Sequence, residues 1–174
     1  MRSRSSHILH PIESLGVKKV SRGEIRVEKL SDRLNPKVAF PHRHDFFQIT
    51  IVNQGSGWHE IDFKKHTVTG KKLFFMKPGQ VHSWKFNNKT QGFVLEFTTD
   101  SLSRSIETSA QRLSINMFAD SVAIKGTVIW DDIESVCKIM QREFNQKSKN
   151  YEIVLEGLLV GLLANLSRSV ERAE

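Results

Sequence analysis

One cysteine, one tyrosine and four prolines are all that 174 residues hold of those types. A lone Cys137 rules out an internal disulfide and a Cys-x-x-Cys zinc or redox pair, and it suits a reducing compartment. Its place in an apolar helical row points to buried packing rather than a reactive thiol. A glycine-rich phosphate loop and a nucleophile elbow are also missing, which sets aside P-loop and serine-hydrolase chemistry. No apolar run reaches the roughly twenty residues of a membrane helix. The opening MRSRSSHILHPIESLG carries positive charge but no signal-peptide h-region. A soluble, cytoplasmic protein is expected, with binding or metal chemistry as the functions left standing.

The formal net charge of +7 invites a nucleic-acid reading until it is placed along the chain. Residues 1–44 carry +6, residues 45–100 carry +2 and residues 101–174 carry −1. The excess sits in the amino-terminal part, so the tail does not read as a DNA-reading surface. With 39% hydrophobic content, one sizeable core is expected, followed by appendages.

The most informative stretch is Pro41 to Gly57, PHRHDFFQITIVNQGSG. His42 and His44 are two apart, so on a strand both rings face one side, and Gln48 joins them if no bulge intervenes. Asn53-Gln-Gly-Ser-Gly57 is a turn cluster that folds the strand back. A second stretch, Lys77-Pro-Gly-Gln-Val-His82, runs a proline-glycine turn into another histidine, and Trp84 two places on projects to the same face as an apolar plate. Three neutral imidazoles and an amide oxygen can hold Zn, Ni, Fe or Cu, though a carboxylate would bind harder than Gln48. The metal set would be His42, His44, Gln48 and His82. The ligand-binding set adds Trp84. His59, His66, His7 and His10 read as solvated.

These two stretches resemble the paired motifs of the cupin superfamily, written here as His42-x-His44-x3-Gln48-x6-Gly55 and Pro78-Gly79-x2-His82. Gln48 stands where metal-binding cupins usually carry glutamate. Lys71 stands where the second motif usually begins with glycine, and Phe86 replaces the usual asparagine. A more specific resemblance, carried by PHRHDFFQI, GKKLFFMKPGQVHSW and GFVLEFT, is to the amino-terminal domain of AraC-type (AraC/XylS) transcription regulators. It implies a cupin-like double-stranded β-helix, or jelly-roll, barrel that binds a small effector, a sugar or other small polar metabolite. It also implies a homodimer, no required cofactor, no enzyme activity, and DNA contact through a carboxy-terminal helix-turn-helix domain not present in this chain.

In order, residues 1–22 read as a flexible arm and Gly23 to Leu30 as an outer strand. Strands are then expected over 38–52, 57–64, 66–69, 73–76, 81–86 and 91–98, at the close spacing of a barrel. The barrel thus occupies 23–100, and 101–174 forms a helical dimerisation and linker segment, making the fold class mainly β with carboxy-terminal helices. An irregular helix is expected over 101–118 and a connector over 122–126. Asp131 or Asp132 caps a helix with the stripe Ile133, Val136, Cys137, Met140 and Phe144. The last helix, Tyr151 to Ser169, is apolar on nearly all sides, and Gly157 and Gly161 give it a small-residue stripe open to close approach. Leu155, Leu159, Leu162 and Leu166 are therefore expected at a twofold dimer seam. The alternative function is a stand-alone metal-dependent cupin enzyme, a dioxygenase or isomerase. A non-catalytic sugar-binding cupin would leave the leucine-rich tail unexplained.

Overall fold

A computed structural model describes residues 20–34, 40–101 and 127–171, with helical side chains placed over 130–167. The expectations for the arm up to residue 19, the helix over 102–118 and the connector over 122–126 lie outside the described residues. So do His7 and His10.

Among the described residues, seven strands form two antiparallel sheets: β1 (Ile25–Lys29), β2 (Phe47–Gln54), β3 (Ser56–Ile61), β4 (Lys64–Thr69), β5 (Lys72–Met76), β6 (His82–Phe86) and β7 (Gln91–Phe97). One sheet runs β1-β7-β2-β5 and the other β4-β3-β6. Alternation along β2 decides what each face of the larger sheet does. Ile49 and Ile51 point out with Leu73, Phe75, Leu95 and Phe97, into a cluster completed by the helices. Val52, Phe74, Met76 and Val94 point in and meet Ile61, Val68 and Phe86 of the smaller sheet. The result is the cupin-like barrel with carboxy-terminal helices that the sequence indicates.

Two strand ends differ from expectation. The first long strand starts at Phe47 rather than 38, because residues 41–46 make only an isolated bridge, His42 to His82. The β3–β4 turn falls at Asp62-Phe63 instead of 64–65, with both residues at positive φ (46° and 67°). Asp62 fastens that turn: its carboxylate accepts from Val81 N at 3.0 Å and Gln80 Nε2 at 2.8 Å. The pairing of β2 with β7 depends on Gly92, at φ 153°, where a Cβ would lie 1.8 Å from the Ile51 carbonyl oxygen.

Among the described residues two helices follow, α1 (Thr127–Gln146) and α2 (Tyr151–Glu171), and because α1 begins at Thr127 the expected caps Asp131 and Asp132 lie inside it. The expected α1 stripe is observed, with Ile133, Cys137 and Met140 buried and Val136 and Phe144 packed beside them. Burial pushes the Cys137 thiol up to about 12, so it is inert packing.

The dimer expectation for the leucines is corrected. Leu155, Leu159, Leu162 and Leu166 are 0–2% exposed in the chain's own core, against the outer face of the larger sheet and α1. A helix laid on a sheet and also against a second helix buries a wide arc, so a leucine row of 4-3-4 spacing is consumed internally. What α2 leaves outward is Ile153 and Val154, together with Gly157 and Gly161, whose Cβ positions meet nothing within 4 Å among the described residues.

Candidate functional site

The site lies at the end of the barrel where the two motifs meet. The backbone makes that meeting obligatory: His42 N donates to His82 O at 2.9 Å and His82 N to His42 O at 2.8 Å. The proline-glycine turn delivers the second strand, since Gly79, at φ 87°, donates its N–H to the His44 carbonyl at 2.8 Å. The rings follow the backbone, with His42 and His82 centroids 4.5 Å apart and His44 and His82 5.1 Å apart in an edge-to-face arrangement. Trp84 lies 5.4 Å from His82, also edge to face. Four of the five sequence-derived residues, His42, His44, His82 and Trp84, are thereby brought together.

Gln48 is buried on the inner face of β2, but its amide nitrogen donates to Thr50 Oγ1 at 3.0 Å and not to a histidine. Its register partners are Met76 and Glu96. The strand begins only at Phe47, so the uninterrupted alternation from His44 that would carry the amide to the rings is absent.

His59 is the residue the sequence reading missed, and its expected solvation is corrected. It is 0% exposed, with its Nε2 3.1 Å from His82 Nδ1 and its ring against Phe74 and Trp84. The signal lay in the alternation of Gly57-Trp58-His59-Glu60-Ile61. Ile61 points inward, so His59 does too, while Trp58 faces outward under the Lys65 ammonium at 4.2 Å. His66 pairs with His59 across the strands and is half-buried 6.0 Å from the Phe74 ring, so it is not freely solvated either.

Burial fixes the charge state. Removal from water holds His44 down to about 4 and His59 down to about 3, and holds His82 well below its ordinary range, with neighbouring histidines adding to the effect on each. The half-buried His42 is lowered less severely, and by desolvation first. All four rings are neutral at physiological pH. Their bonds are incomplete: His44 Nε2, His59 Nδ1, His82 Nε2 and Trp84 Nε1 are buried without a hydrogen-bond partner among the described residues.

Next to Gln48 the barrel interior holds an ion-pair network. Glu96, 1% exposed, accepts from Arg26 at 3.2 Å and from Arg33, while Arg26 also meets Glu24 and Arg33 also meets Glu28. Burial raises the Glu96 pKa and the two guanidiniums oppose that shift.

The described donor set lacks the free carboxylate usual in a metal-binding cupin. Among the described residues no three His, Cys, Asp or Glu side chains converge as a metal-holding group. Gln48 is turned to Thr50, and the nearby carboxylate, Glu96, is engaged by two arginines. A separate cleft of about 590 Å³ lies outside the barrel, between the start of β1 and the helices, lined by Glu24, Asp100, Phe144, Tyr151 and Glu152 among others. No described helix is long and apolar enough to cross a membrane.

Among curated proteins, the HTH-type transcriptional activator RhaS of Escherichia fergusonii is 35% identical over 51 residues, covering 29% of this chain and 18% of the relative. RhaS of Klebsiella pneumoniae is 37% identical over the same length. The matched part is thus less than a fifth of these relatives' length. Among solved structures, the AraC-like transcriptional activator CuxR is 14% identical, covering 70% of this chain and 43% of that one at a TM-score of 0.45. A cupin protein from Bacteroides fragilis is 19% identical, covering 59% of this chain and 86% of that one at a TM-score of 0.35. The AraC-like ligand binding domain model matches residues 26–163, most of the sequence, and the chain belongs to that family.

Proposed function

We propose that this chain is the effector-sensing part of a transcription regulator, and that its effector is a small polar molecule held inside the barrel by His44, His82 and Trp84, with His42 at the opening. The observation that carries this reading is the set of buried, unpartnered nitrogens. A buried polar atom left without a partner costs about 1–3 kcal/mol, and the three on His44, His82 and Trp84 are an arrangement that a bound polar molecule relieves. In this reading the chain has no catalytic role, and the effector is held by the neutral imidazoles and the Trp84 indole N–H themselves rather than through a metal. DNA contact belongs to a helix-turn-helix domain outside this sequence, as the names of the RhaS relatives suggest. A homodimer is also proposed, through the outward Ile153, Val154, Gly157 and Gly161 of α2 in place of the buried leucines.

The test is a thermal-shift panel of small neutral polyols, amides and carboxylates on the purified chain. A ligand at a hundred times its Kd adds about 2.7 kcal/mol to stability. The stabilisation should disappear in His44→Ala and in Trp84→Ala. A compound that stabilises wild type and both variants equally would place its site elsewhere.

A further inference from the structure

The hydrogen positions on the buried histidines follow from their partners, and they define the chemistry the site accepts. His44 Nδ1 lies 2.9 Å from the Phe46 carbonyl oxygen. A carbonyl only accepts, so Nδ1 carries the hydrogen, and His44 Nε2 is a bare lone pair in the neutral ring. Between His59 Nε2 and His82 Nδ1, 3.1 Å apart, one nitrogen donates and the other accepts.

Two arrangements are open to that pair. If His82 donates, His59 Nδ1 must carry a hydrogen, and that N–H is stranded in a residue with no solvent exposure, among Phe74, Trp84 and Phe86. If His59 donates, its Nδ1 is bare and the second hydrogen resides on His82 Nε2, in the ring that faces His42, His44 and Trp84. A buried donor without a partner is rarer than an under-used acceptor, so the hydrogen goes where a ligand can meet it.

We infer that His59 donates to His82 and thereby sets it as a donor at Nε2, so that His82 and His44 form a donor–acceptor pair selective for a neutral hydroxyl or primary-amide group. Such a group accepts from His82 Nε2–H and donates to His44 Nε2, and Trp84 Nε1–H supplies a second donor to a neighbouring acceptor atom. A carboxylate accepts from His82 and Trp84 but offers no hydrogen to His44. Nor does the interior supply a spare cation, since Arg26 and Arg33 face Glu24, Glu28 and Glu96. His59 is on this account a positioning residue: it touches no ligand and acts through His82.

The inference rests on the barrel site proposed above and names its ligand class, but the first half of its test needs no effector and so can fail independently. In chain labelled with ¹⁵N-histidine at neutral pH, the ring-nitrogen spectrum reports which nitrogen of each ring is protonated. The expected pattern is hydrogen on Nδ1 of His44, on Nε2 of His59 and on Nε2 of His82. Hydrogen on Nδ1 of His82 overturns the inference. Acetamide and acetate, nearly equal in shape, then test selectivity: acetamide should shift the His44 and His82 signals at a concentration about tenfold or more below acetate, the factor that one unmatched buried hydrogen bond gives. Equal response to acetate, or no response to either, overturns the ligand class.

Discussion

Replacing Leu159 by alanine distinguishes a leucine row that stabilises one chain from one that joins two. The side chain has no exposure and sits in the cluster formed by the outer face of the larger sheet, α1 and α2. The substitution removes three carbon groups, about 2.4 kcal/mol at roughly 0.8 kcal/mol each. The void left in a packed core adds to that, giving a loss of about 3–4 kcal/mol. For a chain of this length each kcal/mol moves the melting midpoint by roughly 2–4 °C, so a fall on the order of 10 °C is expected. Ile153→Ala, at a position 69% exposed, should change the stability of the single chain, measured at concentrations too low for association, by no more than about 0.5 kcal/mol. Far-UV circular dichroism melts at two protein concentrations provide the assay. For Leu159→Ala the drop should be the same at both. A drop no larger than that of Ile153→Ala, or one that vanishes at high concentration, would refute the internal packing and return the leucines to a subunit seam.

Other outcomes follow from the same structure. Glu96→Ala leaves the buried Arg26 without its inner partner, while Glu24 and Glu28 still serve the two arginines, so urea denaturation should show a loss near about 3 kcal/mol, the low end for a broken buried ion pair. Gly92→Ala places a Cβ against the Ile51 carbonyl and should largely abolish soluble folded protein on expression, whereas Gly70→Ala, with open space around it, should cost far less. The pH dependence has a defined sign: His44 and His59 titrate at about 4 and about 3 when folded against 6.5 as the ordinary value. The unfolded chain therefore takes up protons first as pH falls, and each ring contributes a stability slope of about 1.4 kcal/mol per pH unit, lost from pH 6.5 downward to its folded pKa and flat above 6.5. His59→Phe should reduce that slope in urea titrations across the window. Ile153→Asp should shift sedimentation at micromolar concentration from dimer to monomer while the monomer keeps its folded far-UV circular dichroism spectrum, and its melting midpoint should no longer rise with protein concentration.

The strand alternations and the two histidine motifs were legible because each depends on local geometry. His82 and Trp84 share a face by period two, and the proline-glycine turn leads the chain to them. Alternation does not tie Gln48 to the rings, because residues 41–46 form only an isolated bridge and period two fixes a shared face only within a strand. His59 was hidden by its neighbours: Trp58 and Glu60 dominate the stretch, and only the inward direction of Ile61, a property of the assembled barrel, assigns the face. The leucines of α2 illustrate the opposite error, in which a local pattern was clear but its partner was not. An all-round apolar helix states that every side is covered, and says nothing about whether a sheet, a helix or a second chain covers it. The ion-pair network around Glu96 joins residues 26, 33 and 96, whose proximity is a product of the β1–β7 pairing and has no signature within any one segment.

Whether the histidines hold the effector inside the barrel is decided by a crystal structure of the chain with whichever small molecule raises its melting midpoint furthest. That molecule should lie in contact with His44, His82 and Trp84, with a hydroxyl or amide group within hydrogen-bonding distance of His44 Nε2. Finding it instead in the cleft beside Glu24, Asp100 and Tyr151, with the buried imidazoles untouched, would contradict the account.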